Sequence, residues 1–166
     1  WCYGTAKAAG EHYCYAYHQQ EGMPFVIFRF FNAYGPRLDD LGSGRALPIF
    51  LKQCFQGEPM TIHGDGTQTR SFVYVEDAVD CVVRGTFSKA AEGQVINVGS
   101  AQEISIKDLV AKVIRAGAFA SKIVFISHRK IFGPSYEDIP RRVPDVSKAR
   151  RLLGYHTISA KGSGVL

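Results

Sequence analysis

From Phe25 to Phe31 the chain runs Phe-Val-Ile-Phe-Arg-Phe-Phe and then breaks at once into Asn32-Ala-Tyr-Gly-Pro-Arg. The run is β-branched and aromatic and follows Gly22 and Pro24, so it reads as a strand buried on both faces. It is far shorter than the ~20 residues that span a bilayer, and Arg29 interrupts it. The flanking sequence alternates helical and strand patterns. Helices are expected at Tyr3 to Gln20, Ala46 to Gln56, Glu76 to Phe87, Ser105 to about Ala116, and Ser147 to Leu153. Strands are expected at Met60 to Ile62, Ser71 to Val75, Gln94 to Val98 and Lys122 to Ile126. Asn32 to Gly44 reads as a loop and His63 to Thr67 as a turn rich in residues that accept positive φ. Ser105 with Asp108 three residues on resembles a capping box. Such alternation argues for α/β packing, and no repeat or linker divides the chain.

Composition narrows the partners. With 166 residues, 46% of them hydrophobic and 21% charged, the chain builds a core and is no disordered polyelectrolyte. A net charge of +5 favours anionic ligands without choosing among them. No basic run exceeds two residues, which argues against a nucleic-acid partner. Cys2, Cys14, Cys54 and Cys81 are scattered without a Cys-x-x-Cys, so buried free thiols in a reducing, cytoplasmic compartment are expected. The five histidines are equally dispersed, and no metal is expected. Neither a signal-peptide pattern nor a membrane-length run is visible.

Four short constellations carry chemistry. In Tyr3-Gly-Thr-Ala-Lys7, helical spacing sets a phenol and an ammonium on one face. A positive neighbour favours phenolate, and a phenol so tuned can take a proton from a sugar hydroxyl. A solvated helix face would show the same spacing. Asn32 stands where a strand enters a polar loop, the edge at which parallel α/β sheets bind ligands; there its amide offers both a donor and an acceptor, although Asn also suits a turn of unusual backbone conformation. Arg70 follows the turn Gly64-Asp-Gly-Thr and offers a fork for a diphosphate, or a surface salt bridge. Arg141-Arg142-Val-Pro-Asp145 sets two guanidinium groups and a carboxylate in an irregular segment suited to phosphate and ribose, or to an exposed loop.

Taken in order, these segments resemble the C-terminal half of extended short-chain dehydrogenases/reductases, the NAD-dependent sugar-nucleotide epimerase/dehydratase family. The matching stretches are Tyr-Gly-x-x-Lys from Tyr3, Arg-Phe-Phe-Asn-x-Tyr-Gly-Pro-Arg from Arg29, Gly57 to Arg70, Tyr-Val-Glu-Asp-Ala from Tyr74, Ile-Asn-Val-Gly from Ile96, and Arg-Arg-Val-Pro-Asp from Arg141 with Ser147 to Gly154. The resemblance implies the C-terminal part of a Rossmann-like doubly wound sheet plus a smaller substrate-binding region. About residues 1–35 and 70–100 would belong to the first, and about 36–69 and 101–166 to the second. It implies NAD as cofactor and a UDP- or dTDP-sugar as substrate, oxidised at C4 and epimerised. The alternatives are a 4,6-dehydratase, a UDP-glucuronate decarboxylase, or a binding relative without turnover. Tyr3 would be the catalytic base and Lys7 would hold the nicotinamide ribose. Phe31 would contact the nicotinamide side. Asn32, Ala46, Leu47, Arg70, Arg142 and Asp145 would contact the sugar nucleotide, and Thr61, Ile62 and His63 its base. A homodimer through the Tyr-x-x-x-Lys helix is also implied.

The sequence departs from the family in three places. It contains no Gly-x-x-Gly-x-x-Gly, Cys2 stands where Pro often precedes the tyrosine, and Ser159 to Leu166 does not match the usual final helix. An N-terminal half carrying the glycine-rich loop is therefore expected to be missing, which leaves an apolar strand edge uncovered. The isolated chain is expected to be unstable or inactive, and calorimetry should find only weak NAD binding; tight binding would contradict this.

Overall fold

The computed structural model describes residues 2–38, 45–133 and 138–157. Its elements are α1 (Cys2–Glu21), β1 (Ile27–Phe30), β2 (Ala33–Tyr34), α2 (Ala46–Phe55), β3 (Met60–His63), β4 (Thr69–Arg70), β5 (Val73–Tyr74) and α3 (Val75–Thr86). After a short 3-10 turn come β6 (Val95–Val98), β7 (Ile104–Ser105), α4 (Ile106–Gly117), β8 (Ile123–Ile126), α5 (His128–Phe132), β9 (Arg141–Arg142) and α6 (Ser147–Leu153). The protein is α/β. Parallel ladders join β1 to β6, β2 to β5 and β3 to β8, while β4 lies between antiparallel β7 and parallel β9. The loop expected beyond residue 38 and the departure expected at Ser159 to Leu166 lie outside the described residues for 39–44 and 158–166.

Two apolar cores form. One gathers Leu47, Phe50 and Cys54 of α2, Met60 and Ile62 of β3, and Leu109, Val110 and Val113 of α4. Helical spacing puts Ile106, Leu109, Val110 and Val113 on one buried stripe of α4. Its first turn is closed by Ser105, whose Oγ accepts the Asp108 amide at 3.1 Å. The other core packs Ala78 and Cys81 of α3 and Ile96 and Val98 of β6 against Val146, Ala149, Leu153 and Tyr155. Gly85 of α3 is part of this fit, since a Cβ there would come within 2.5 Å of the Phe28 ring. The buried Tyr155 hydroxyl donates to the Gly99 carbonyl at 2.8 Å and ties the chain after α6 to the end of β6.

Several expectations change. The segment from Phe25 is not buried on both faces: Phe25 is buried, Val26 to Phe28 are half-buried, and Phe30 is 55% exposed. β6 pairs with one edge of β1, and among the described residues no strand pairs with the other. α1 adds little cover, because none of its 20 residues is buried. The strand expected at Ser71 to Val75 is confined to β5, since α3 begins at Val75. β2, which falls in the loop expected from Asn32, and β7, β9 and α5 were not foreseen. Each is too short to carry a periodic signal. The four cysteines are free, but only Cys54 and Cys81 are buried, while Cys2 is exposed. Burial pushes the Cys81 thiol up to about 11, which keeps it protonated and unreactive. Among the described residues, no helix is long and apolar enough to cross a membrane.

Leu109 is fully buried at the centre of the first core. Leu109→Ala should therefore cost about 2–5 kcal/mol of stability, read from the midpoint of urea unfolding; an unchanged midpoint would contradict this packing.

Candidate active site

β1 ends on a turn that organises everything around it. Asn32 adopts φ 43, a left-handed conformation that Asn tolerates better than most residues. Its side-chain amide donates to the Ser71 carbonyl at 2.7 Å, and its side-chain oxygen accepts from Arg142 Nη2 at 2.9 Å. Its backbone carbonyl accepts the Val73 amide at 3.3 Å. Asn32 thus serves the turn and the site together, and its amide is engaged within the protein rather than standing open as the sequence suggested.

Asn32 lines a pocket of about 240 Å³ beside the first core, which contributes Phe50 and Ile106 to its wall. Ala46, Thr61, His63, Arg70 and Arg142 line it too. Six residues singled out in the sequence therefore converge, although they span more than a hundred positions. Strand pleating explains the choice within β3. Met60 and Ile62 are fully buried in the core, while Thr61 and His63 face the pocket. Ile62 is thus turned away from the site, and the alternation rule could have told this from the sequence. Leu47 is likewise a core residue. Asp145 is exposed and lies outside the pocket lining; its Oδ1 accepts the Ser147 amide at 2.8 Å at the start of α6. That bond, with a second from the Ser147 side chain, holds the Asp145 carboxyl below its ordinary 3.8. The arginine pair does not act as one clamp either. β9 alternates, so Arg142 reaches Asn32 while Arg141 pairs with Glu103 at 2.9 Å.

The sequence reading missed Gln68, Phe72, His128 and Asp138, which also line the pocket. Asp138 is brought there by register: Arg70 pairs with Arg142 across the parallel β4–β9 ladder, and the residues just before β9 run alongside the Arg70 side chain. No spacing motif signals such a contact. His128 packs so closely on Gly64 that a Cβ there would come within 2.5 Å of its ring, and Gly64 takes φ 78. Glycine meets both demands. Burial, then the neighbouring His128, lowers His63 from its ordinary 6.5, while Asp138 opposes the shift.

Tyr3 and Lys7 lie outside this pocket but at its end of the sheet. α1 runs antiparallel to β1: Tyr15 and His18 contact Phe25, and Glu11 accepts Arg29 Nε at 2.7 Å. From Glu11, a rise of ~1.5 Å per residue carries Lys7 and Tyr3 ~6 and ~12 Å toward the helix N-terminus. From Arg29, ~3.3 Å per residue carries the strand ~7 Å to Phe31 and ~10 Å to Asn32. Both run from the Glu11–Arg29 contact toward the carboxyl end of β1. Lys7 Nζ sits 5.5 Å from the centre of the Tyr3 ring, and Tyr3 is 70% exposed. Phe31 is half-buried, its amide bonded to the Val98 carbonyl at 2.9 Å.

This order of parts is shared. Residues 1–99 match the model of the NAD dependent epimerase/dehydratase family. The chain belongs to that family. UDP-N-acetyl-alpha-D-glucosaminuronate decarboxylase of Bacillus cytotoxicus is 36% identical over 156 residues, 94% of this chain and 48% of that protein. UDP-glucuronic acid decarboxylase 1 of Xenopus tropicalis is also 36% identical, over 95% of this chain and 35% of its own length. Among solved structures, UDP-glucuronic acid 4-epimerase of Bacillus cereus, in complex with UDP-glucuronic acid and NAD, superposes with a TM-score of 0.81 at 34% identity, covering 93% of this chain and 46% of that one. The chain thus spans a third to a half of the relatives it matches, and its α/β fold is that of Rossmann-type epimerases.

Family membership implies NAD, and the residues present fit one end of it. An exposed phenol and ammonium at the carboxyl end of a parallel strand suit a nicotinamide and its ribose. The glycine-rich loop that would cradle the dinucleotide's pyrophosphate has no counterpart in this sequence.

The placement of Tyr3 and Lys7 depends on the Glu11–Arg29 pair. Its hydrogen bonds hold the Glu11 carboxyl below its ordinary 4.5. A lowered carboxyl contributes above that value and loses its contribution as pH falls below it. Amide protection in α1, corrected for intrinsic exchange, should drop as pH is lowered through that range, and Glu11→Gln should show the low value at neutral pH. Protection indifferent to both changes would contradict the docking.

Proposed function

We propose that this chain is the catalytic-dyad and substrate-binding half of an NAD-dependent enzyme that oxidises a UDP-sugar at C4, with 4-epimerisation as the outcome. The observation that carries the reading is Asn32. It follows β1, the strand against which the Tyr3–Lys7 helix docks, and it lines the pocket that holds Arg70 and Arg142. A substrate lying across Asn32 would meet the phenol at its sugar and the arginines at its diphosphate.

Tyr3 Oη takes the proton of the sugar C4 hydroxyl and later returns it. Lys7 keeps a positive charge against the Tyr3 ring and holds the cofactor's ribose. NAD+, when bound, supplies the acceptor for the hydrogen and electron pair leaving C4 and gives them back. Arg142, anchored on Asn32, offers its guanidinium to the diphosphate. Thr61 and His63 project from β3 toward the base, and Phe72 and Ala46 supply apolar wall. Between the two transfers the sugar is a 4-keto species whose freed face allows inversion. A cytoplasmic location and a homodimer through α1, whose 20 residues include no buried side chain, complete the proposal.

A second reading is decarboxylation of a UDP-uronic acid. The names borne by the two curated relatives favour it. It shares the C4 oxidation, after which the 4-keto group takes up the electrons released as CO2 departs. Product analysis with UDP-glucuronate separates the two: an epimeric uronate, or a pentose with CO2.

In the enzyme that contains this chain, Tyr3→Phe should abolish turnover and leave the dissociation constant for UDP unchanged. Full turnover in that variant would refute the dyad. Arg142→Ala should weaken UDP-sugar binding by about 1.5–3 kcal/mol, and an unaltered dissociation constant would remove Arg142 from the site.

A further inference from the structure

The pocket already contains an anion of its own. Arg70 is 8% exposed. Its Nη2 donates to both Asp138 carboxylate oxygens, at 3.0 and 3.1 Å. Its Nη1 donates to the Thr69 and Ile139 carbonyls, each at 2.7 Å. Both terminal nitrogens are therefore committed, and the Nη2 donors that would meet a phosphate are taken by a carboxylate. The Asp138 side chain keeps 22% of its surface exposed and lines the pocket itself. His128 stands on its other side, Nε2 3.7 Å from Oδ2.

A charge-neutral pair does not attract an incoming anion, and a diphosphate placed beside a fixed carboxylate is repelled by it. Arg70 also has two backbone carbonyls as partners, one of them on Ile139, whose amide donates to Asp138 Oδ1 at 2.9 Å. The carboxylate is therefore not the sole partner of the guanidinium. We propose that Asp138 is a resident counter-anion, displaced from Arg70 when a ligand diphosphate enters, and that it keeps the affinity of the site below what its two arginines would give. This rests on the reading of the pocket as a nucleoside-diphosphate site. A bound nucleotide can then leave again, because Asp138 restores the buried cation's partner as the phosphate departs.

The test is calorimetric titration of the full-length protein with UDP, uridine and inorganic pyrophosphate. Asp138→Asn and Asp138→Ser should each tighten UDP and pyrophosphate about five- to tenfold and leave uridine unchanged. Adding Arg70→Ala should erase the gain. Glu103→Gln removes the same charge from a carboxylate that pairs with Arg141 and Thr69 but not with the Arg70 guanidinium, and should shift neither anion by more than about twofold. Weaker or unchanged anion binding in both Asp138 variants would overturn the proposal, as would an equal gain in Glu103→Gln. Pyrophosphate tightened by the Asp138 changes with UDP bound by no variant would uphold the counter-anion and refute the nucleotide reading. UDP bound equally by all would do the reverse, and binding of neither probe would refute both.

Discussion

The turn at Asn32 is the constraint on which the rest depends. A strand that emerges from one core must deliver its chain to the edge of the other without leaving buried polar groups unpaired. Asn32 does so in a backbone conformation most residues resist. Its amide then closes on Ser71, and its carbonyl oxygen closes on Arg142. Ser71 is itself fully buried, its hydroxyl donating to the Ser100 carbonyl at 2.6 Å. One short chain of bonds thus fixes β1, the segment before β5, and β9 relative to one another. The pocket is the space they leave.

Most of the architecture was legible in the sequence because its signals are local. Ala-rich α1, the stripe on α4 with its Ser105 cap, and the short α6 ending in Gly154 all follow from spacing and end residues. β3 shows both the strength and the neglect of such a rule: the Met-Thr-Ile-His alternation encodes which two side chains face the ligand, yet a reading by resemblance took three neighbours together. The burial of β1 was misread for a different reason. Apolar content records what a strand is built to face, and here its second edge has no strand among the described residues. The contact of Asp138 with Arg70 could not be read at all, since it joins residues 68 positions apart through a ladder of two-residue strands.

Function divides along the same line. The resemblance singles out residues for a substrate and a cofactor, and six of them line one pocket. The motifs say nothing of the groups that restrain those residues. Glu11 pairs with Arg29 between α1 and β1, and Asp138 pairs with Arg70 in the pocket wall. Both are carboxylates bound to a guanidinium, one at an exposed edge and the other in a partly buried wall.

The account stands or falls on whether a single substrate reaches both the dyad and the arginines. A crystal structure of the protein with a UDP-sugar measures this most directly. The account requires a sugar hydroxyl within hydrogen-bond distance of Tyr3 Oη while the diphosphate of the same molecule contacts Arg142. A nucleotide seated elsewhere, or seated in the pocket with its sugar pointing away from α1, would contradict it.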